Sequence, residues 1–287
     1  MKRQNATNKS EIQNPKAQIS NQKSTIRNPK SEITDNPVLF VGAGPGDPEL
    51  ITVKGQKALM EADLVIYAGS LVPEALLVWT RSDTRILSSA SMHLEEIIAE
   101  IQSAHAEGQR VVRLHTGDPS LYGAIYEQIS ELSKQGIPYK VIPGVTAAFA
   151  AAATLGIEYT LPQVSQTLIL TRMAGRTPVP EKENLASLAA HQTSMAIYLS
   201  MSAVDEVSEI LCEAYGENST CAVVYRASQP EEKTILTPLK QLAARVAAEK
   251  ITKTALIIVG KVLSVKPDDI GHKSKLYDKN FKHECRS

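Results

Sequence analysis

Two glycine-rich segments carry the residues of this chain that are best suited to bind a small molecule. One is Gly42-Ala-Gly-Pro-Gly-Asp-Pro48, and the other is Arg113-Leu-His-Thr-Gly-Asp-Pro-Ser-Leu-Tyr-Gly123. Each follows a short apolar run rich in β-branched residues, at 38–41 and 111–114, and each precedes a helix-like segment. Both are therefore predicted to be loops at the carboxyl ends of strands, where an open α/β sheet binds its ligands.

The first segment begins like a dinucleotide-binding fingerprint but then departs from it. Gly42 and Gly44 match the first two glycines, whereas the position of the third is Asp47. The second predicted strand ends in Tyr67 and Ala68, without a carboxylate for a ribose 2′-hydroxyl. A nicotinamide or flavin cofactor is therefore disfavoured, and the absence of a following Gly-Lys-Ser/Thr excludes a nucleoside triphosphate loop.

Asp118 and the turn that begins at Pro143 each allow two interpretations. The Asp118 carboxylate could bind ribose hydroxyls or an amine, or it could cap the helix that follows it. The backbone N–H groups after Pro143 could bind a ligand, or the segment could simply be a turn, with Thr146 as a helix cap. The residues alone leave both questions open.

Basic residues surround a Gly/Pro-rich segment in the second half of the chain. Arg172, Arg176 and Lys182 bracket or lie within it. Arginine suits carboxylate ligands because its planar guanidinium donates two parallel hydrogen bonds. Charges on long loops are also commonly just solvated, so the segment by itself does not establish an anion site.

Composition and residue spacing disfavour several other classes of function. The 31 basic and 31 acidic residues balance, so no global field favours nucleic acid or an anionic membrane. No apolar run approaches the ~20 residues of a membrane span. The histidines lack metal-ligand spacing, and Ser70 and Ser120 lie outside any Gly-x-Ser-x-Gly elbow. Cys212, Cys221 and Cys285 are odd in number and scattered, which suits a reducing, cytoplasmic compartment.

The pattern of the chain predicts an α/β fold with a mostly parallel sheet and helices packed on it. Residues 1–36 are rich in Asn, Gln, Lys and Ser, lack an apolar signal sequence, and are expected to form a dispensable, disordered extension. The predicted divisions are an N-terminal α/β domain at 37–153, a linker at 154–164, a C-terminal α/β domain at 165–266 and a polar tail at 267–287.

Hydrophobic periodicity places the individual elements. Strands are predicted at 38–41, 64–67, 111–114, 139–142, 168–170, 196–199, 222–225, 233–236 and 255–259. Helices are predicted at 52–62, 94–107, 204–215 and 239–250. Two further helices are predicted, one that ends at residue 135 and one that starts after the turn at 143–146.

Four motifs, in order along the chain, resemble those of the tetrapyrrole methylase family. They are the segment at 42–48, Gly-Asp-Pro at 117–119, Pro-Gly-Val-Thr-Ala-Ala at 143–148 and Thr-Ala-Leu-Ile-Ile-Val-Gly at 254–260. The resemblance covers about residues 37–266. Segments 67–72, 113–124 and 171–178 are most similar to the members that methylate carbon 11 of precorrin-4 or cobalt-precorrin-4 in corrin-ring (cobalamin) biosynthesis.

The resemblance implies two α/β domains with S-adenosylmethionine bound in the cleft between them and S-adenosylhomocysteine as product. It also implies a homodimer. The residues that fall on the family's cofactor contacts are Pro45, Thr116, Gly117, Asp118, Leu121, Thr146, Ala147, Leu199, Ala227, Thr254 and Ala255.

A tetrapyrrole acceptor of this kind carries several carboxylates, so the resemblance makes Arg172 and Arg176 candidates to bind it, with Ser70 in a neighbouring wall. In-line methyl transfer needs positioning and exclusion of water rather than a covalent nucleophile, and no catalytic base is assigned. The alternative acceptors are another precorrin, uroporphyrinogen III, ribosomal RNA and a diphthine precursor. A non-catalytic adenosylmethionine-binding protein and a dehydrogenase are alternatives of other classes.

Overall fold

Two five-stranded sheets, each flanked by helices, organise the chain. The computed structural model describes residues 36–69, 71–266, 268 and 274, which belong to one unit, Thr34–Ser287. Residues 1–35 of the predicted extension and most of the predicted tail lie outside the described residues. Asn36 is described, and its side-chain amide donates to the Gly108 and Gln109 carbonyl oxygens at 3.1 and 2.7 Å.

The first sheet is parallel throughout, with strand order β3-β2-β4-β1-β5. Its strands are β1 (Val38–Gly42), β2 (Leu64–Tyr67), β3 (Arg85–Ser88), β4 (Val111–His115) and β5 (Tyr139–Ile142). The helices in this part of the chain are α1 (Val53–Glu61), α2 (Leu94–Ala106), α3 (Ile125–Lys134) and α4 (Ala147–Leu155). Only β3 was not predicted, because this edge strand is mostly exposed and lacks a buried apolar pattern.

The second sheet is mixed, with order β6-β7-β10-β8-β9. Its strands are β6 (Leu168–Arg172), β7 (Ser194–Tyr198), β8 (Thr220–Tyr225), β9 (Lys233–Pro238) and β10 (Ala255–Val259), and its helices are α5 (Leu185–Ala189), α6 (Val204–Tyr215) and α7 (Leu242–Ala248). Short 3-10 turns lie at Pro48–Leu50, Glu74–Trp79, Glu181–Glu183, Met201–Ala203, Leu239–Gln241 and Lys261–Ser264.

The prediction of an α/β fold is confirmed, and the prediction of mostly parallel pairing is correct for the first sheet only. In the second sheet β6 and β7 are parallel, whereas the other three pairs are antiparallel. The physical reason is visible at residues 226–232, which join β8 to β9 without a helix. So short a connection can reverse the chain but cannot return it for parallel pairing.

The three central strands of the first sheet, β1, β2 and β4, are covered on both faces. Val41 and Leu114 pack with Leu59 of α1 on one face, while Phe40 and Ile66 belong to the cluster on the other face. Burial on both faces explains why these strands read as continuous apolar runs in the sequence.

Helix α4 packs against the second sheet. Its alanines, Ala148 and Ala151 among them, share a buried cluster with Ala222 of β8 and Leu256 of β10. Small side chains let the helix backbone approach the sheet closely. The predicted boundary at 153/154 stays a prediction, while this packing favours a boundary before α4.

Within the described residues, none of the helices has both the length and the apolar content needed to cross a membrane.

Three glycines bring the loops of the first sheet into contact. Gly42 ends β1, Gly117 follows β4 and Gly144 follows β5. A Cβ atom on Gly42 would lie 2.6 Å from both the Gly117 oxygen and the Gly144 Cα, and one on Gly144 would lie 2.8 Å from the Gly42 Cα. These are distances that real Cβ contacts do not reach, so only glycine permits this packing.

The Gly144→Ala substitution is expected to lower the free energy of unfolding by about 1–3 kcal/mol or more, because the added methyl meets backbone atoms that cannot rotate away. Chemical denaturation checks this. Gly175→Ala is the matched control, since a Cβ at Gly175 has no atom within 4 Å. Equal stabilities of the two variants would contradict the steric argument.

Candidate functional site

A cavity of about 440 Å³ lies between the loops of the first sheet and the strand ends of the second. Its volume is within the range of small-molecule sites. The structure brings all eleven residues predicted to bind the cofactor to the lining of this one cavity, although they span more than 200 positions. They are Pro45, Thr116, Gly117, Asp118, Leu121, Thr146, Ala147, Leu199, Ala227, Thr254 and Ala255.

The loops after β1 and β4 form one wall and are joined directly. The Gly117 N–H donates to the Gly44 oxygen at 2.8 Å, and the Gly44 N–H donates to the Gly117 oxygen at 3.2 Å. These strands are neighbours, yet the chain leaves them in opposite directions, towards β2 and towards β5. The cavity therefore lies at the topological switch point, the expected ligand position in such a sheet.

Asp118 ties the loop after β4 to the loop after β5. Its Oδ2 accepts from the Gly144 N–H and its Oδ1 from the Ser120 N–H, both at 2.9 Å. Burial raises the pKa of the Asp118 carboxyl, but the hydrogen bonds from Ser120 and Gly144 outweigh it, so the pKa lies below its usual value. The capping interpretation of Asp118 is wrong, since α3 begins only at Ile125, with Ala124 at the cap position.

Tyr198, at the end of β7, caps helix α4 from the other sheet. Its hydroxyl accepts from the Ala148 N–H at 2.9 Å and lies 2.7 Å from the Thr146 hydroxyl oxygen. Thr146 occupies the cap position but its side chain does not cap the helix, so that prediction is corrected. Sequence reasoning missed Tyr198 because 50 residues separate it from its partner.

The second sheet presents strained backbone to the cavity. Leu199, Arg226 and Thr254 have φ angles of 53°, 47° and 56°, in the left-handed region that residues other than glycine rarely adopt. The Arg226 N–H donates to the Thr254 oxygen at 2.9 Å. Such strain costs of order 1–3 kcal/mol for each residue and clusters at functional sites.

Two hydrogen bonds join the loop after β1 to the loop after β8. The Gln229 side-chain amide donates to the Pro45 oxygen at 3.1 Å, and the Asp47 N–H donates to the Ser228 hydroxyl at the same distance. They close one side of the cavity. No motif in the sequence signals either contact.

A second cavity, of about 480 Å³, adjoins the first and shares Leu71, Thr116 and Tyr122 with it. Arg113 of β4 is buried in its wall, donating to the Gln128 side chain at 3.1 Å and to the Ser89 hydroxyl at 3.0 Å. Among the described residues, none of the ion pairs includes Arg113.

Burial lowers the pKa values of two β4 residues in this wall. Burial lowers the pKa of Arg113 to about 10. Burial, together with the nearby Arg113 charge, lowers the pKa of His115 to about 3, although a hydrogen bond to the Gly123 backbone opposes the shift. His115 is therefore neutral at physiological pH and Arg113 remains charged.

The three residues predicted to contact substrate have different surroundings. Arg172 lines a third cavity, of about 340 Å³, and its guanidinium donates to the Thr177 and Pro178 oxygens of its own loop at 2.9 and 3.0 Å. Arg176 is exposed on the same loop. Ser70 lies outside the described residues. Carboxylate binding by the two arginines stays a prediction.

The chain is a two-sheet α/β protein with a cavity of small-molecule size between its sheets. The chain belongs to the family described as Tetrapyrrole (Corrin/Porphyrin) Methylases, whose profile matches residues 37–243. The membership predicted from the four sequence motifs is confirmed.

Three relatives illustrate the similarity. The cobalt-precorrin-4 C(11)-methyltransferase of Methanocaldococcus jannaschii is 58% identical over 250 residues, covering 87% of this chain and 95% of the relative. The X-ray structure of the cobalamin biosynthetic enzyme cobalt precorrin-4 methyltransferase, CbiF, has a TM-score of 0.76 and 44% identity, covering 79% of this chain and 95% of that one. The uroporphyrin-III C-methyl transferase of Thermus thermophilus, complexed with S-adenyl homocysteine, has a TM-score of 0.65 and 27% identity, covering 79% and 93%.

The depressed pKa of His115 predicts a pH dependence of stability. Between the unfolded pKa of 6.5 and the folded value of about 3, the unfolded chain binds the proton more tightly. The contribution of neutral His115 to the free energy of unfolding is therefore fully present above the unfolded pKa and is lost as pH falls towards the folded pKa. The His115→Gln variant should lose stability less steeply than the wild type as pH is lowered from about 7 to about 4.

Urea denaturation at several pH values measures this difference in slope. His191→Gln, at an exposed histidine, is the control and should follow the wild type. Parallel curves for wild type and His115→Gln would refute the proposed burial of a neutral imidazole.

Proposed function

We propose that this protein is an S-adenosylmethionine-dependent C-methyltransferase that methylates carbon 11 of precorrin-4 or cobalt-precorrin-4 in cobalamin biosynthesis. The observation that carries the proposal is the convergence on one cavity of the eleven residues that fall on the family's cofactor contacts. The relatives named for this reaction support it, because they align with nearly their whole length and with at least 79% of this chain.

We further propose that the 440 Å³ cavity binds the adenosylmethionine. Its lining offers the acidic Asp118, whose lowered pKa keeps it ionised, and the small residues Ala227 and Ala255, which leave room against the backbone. An ionised carboxylate suits ribose hydroxyls or the cofactor's ammonium group. When bound, the cofactor supplies a methyl group on a positively charged sulfur. A relative complexed with S-adenyl homocysteine supports the same class of ligand here.

The contribution of the chain to the reaction is then position and the exclusion of water. The Asp118 and Tyr198 hydrogen bonds fix the loops on both sides of the cavity, and the Gln229–Pro45 contact closes one edge. Holding two reactants in line can supply much of the acceleration of such a transfer. The acceptor carbon provides the electron pair, so a covalent nucleophile on the protein is not required.

The tetrapyrrole is proposed to occupy the cavities that adjoin the cofactor, where Arg113 and Arg172 provide positive charge for its carboxylates. A homodimeric state and a cytoplasmic location also belong to the proposal. The family resemblance supports the first, and the scattered, odd number of cysteines supports the second.

Incubation with methyl-labelled adenosylmethionine tests the reaction directly. Precorrin-4 and cobalt-precorrin-4, each made in situ by the preceding pathway enzymes, serve as acceptors. We expect label on carbon 11 of one or both rings, located by NMR of the product, and none on uroporphyrinogen III. Label on uroporphyrinogen III alone would overturn the assigned acceptor, and the absence of label on all three would overturn the proposed reaction.

The Ala147→Leu variant tests the cofactor cavity. Ala147 begins α4 and lines the cavity, so the larger side chain should fill space that the cofactor needs and raise the Kd of adenosylhomocysteine about tenfold or more. Isothermal titration calorimetry measures the Kd. Ala186→Leu, at an exposed alanine of α5, is the control. An unchanged Kd for Ala147→Leu would place the cofactor elsewhere.

A further inference from the structure

Three cavities of the described residues meet at one side chain. Tyr122 lines the 440 Å³ cavity between the sheets, the 480 Å³ cavity beside Arg113 and the 340 Å³ cavity beside Arg172. No other lining residue is shared by all three. Tyr122 therefore lies on the border between each pair of these cavities.

The backbone at Tyr122 is strained and tightly packed. Tyr122 and Ala124 have φ angles of 57° and 48°, which cost free energy in residues other than glycine. Gly123 lies between them, and a Cβ at that position would collide with the Pro119 carbonyl oxygen. A relaxed loop would not present the ring in this way, so the strain marks an orientation that the surrounding structure holds in place.

The ring of Tyr122 is held from one side and open on the other. Its centroid lies 5.6 Å from that of Tyr198 with an interplanar angle of 55°, so it leans against the residue that caps α4 from the second sheet. Even so, 41% of Tyr122 is exposed. Among the described residues, the Tyr122 hydroxyl has no hydrogen-bond partner, so aromatic packing orients the ring.

We propose that Tyr122 is a positioning residue that separates the cofactor cavity from the acceptor cavities and packs the face of its ring against the tetrapyrrole. This inference rests on the proposed function, since it assumes a cofactor on one side and a macrocyclic acceptor with conjugated segments on the other. Offset stacking of such a ring system on tyrosine is favourable, and the adjoining Tyr198 fixes the stacking partner. The contact sets how closely the acceptor carbon approaches the methyl group.

Three variants test the role of the ring. Tyr122→Ala removes the ring at a left-handed residue where alanine meets a similar backbone penalty, and Tyr122→Phe removes only the hydroxyl. Tyr126→Ala is the matched control, because Tyr126 is 83% exposed on α3 and does not line any of the three cavities. For each protein, the KM for the tetrapyrrole and kcat are measured, together with the Kd of adenosylhomocysteine by calorimetry.

We expect Tyr122→Ala to raise the tetrapyrrole KM about three- to tenfold, to lower kcat, and to change the adenosylhomocysteine Kd by less than about twofold. Tyr122→Phe and Tyr126→Ala should behave like the wild type. Wild-type kinetics for Tyr122→Ala would overturn the proposal. An equal loss in Tyr122→Phe would assign the role to the hydroxyl and overturn the stacking contact, and a loss confined to cofactor affinity would overturn the separation of cavities. A wild-type protein without tetrapyrrole methylation would instead reject the proposed function, so the two failures are distinguishable.

Discussion

The close contact of three loop backbones at Gly42, Gly117 and Gly144 is the constraint on which the rest of the structure depends. Because Gly42 and Gly144 have no Cβ, and Gly117 adopts a φ of 60°, the loops after β1, β4 and β5 lie against one another. Asp118 then reaches the Gly144 N–H, which orients the turn that begins α4. Since α4 packs on the second sheet, a contact made within the first sheet also places the second sheet across the cavity.

Strained backbone lies on both sides of the cavity between the two sheets. Leu199, Arg226 and Thr254 on one side and Tyr122 on the other have positive φ angles. Each is a free-energy cost that the buried sheets offset. The same rigidity suits a reaction whose barrier depends on the distance between two bound molecules.

A buried positive charge, that of Arg113, lies beside the cavity between the sheets. Arg113 is held in the strand β4 by neutral partners, and its charge helps to keep His115 unprotonated. In contrast, Arg172, which sequence analysis selected, donates hydrogen bonds to carbonyl oxygens of its own loop. Arg113, which lies within a strand, lines a cavity and has no anionic partner among the described residues.

The sequence by itself determined the α/β class, most strands and helices, the family and eleven of the residues that line the cavity, because apolar periodicity and the family motifs are local signals. It did not reveal the edge strand β3, the antiparallel pairing of the second sheet or the capping of α4 by Tyr198. Only the tertiary structure decided these, and it also showed that Asp118 links two loops and that Tyr122 lines three cavities. The physical reason is that each depends on residues far apart in sequence, whose contacts exist only after the sheets have packed.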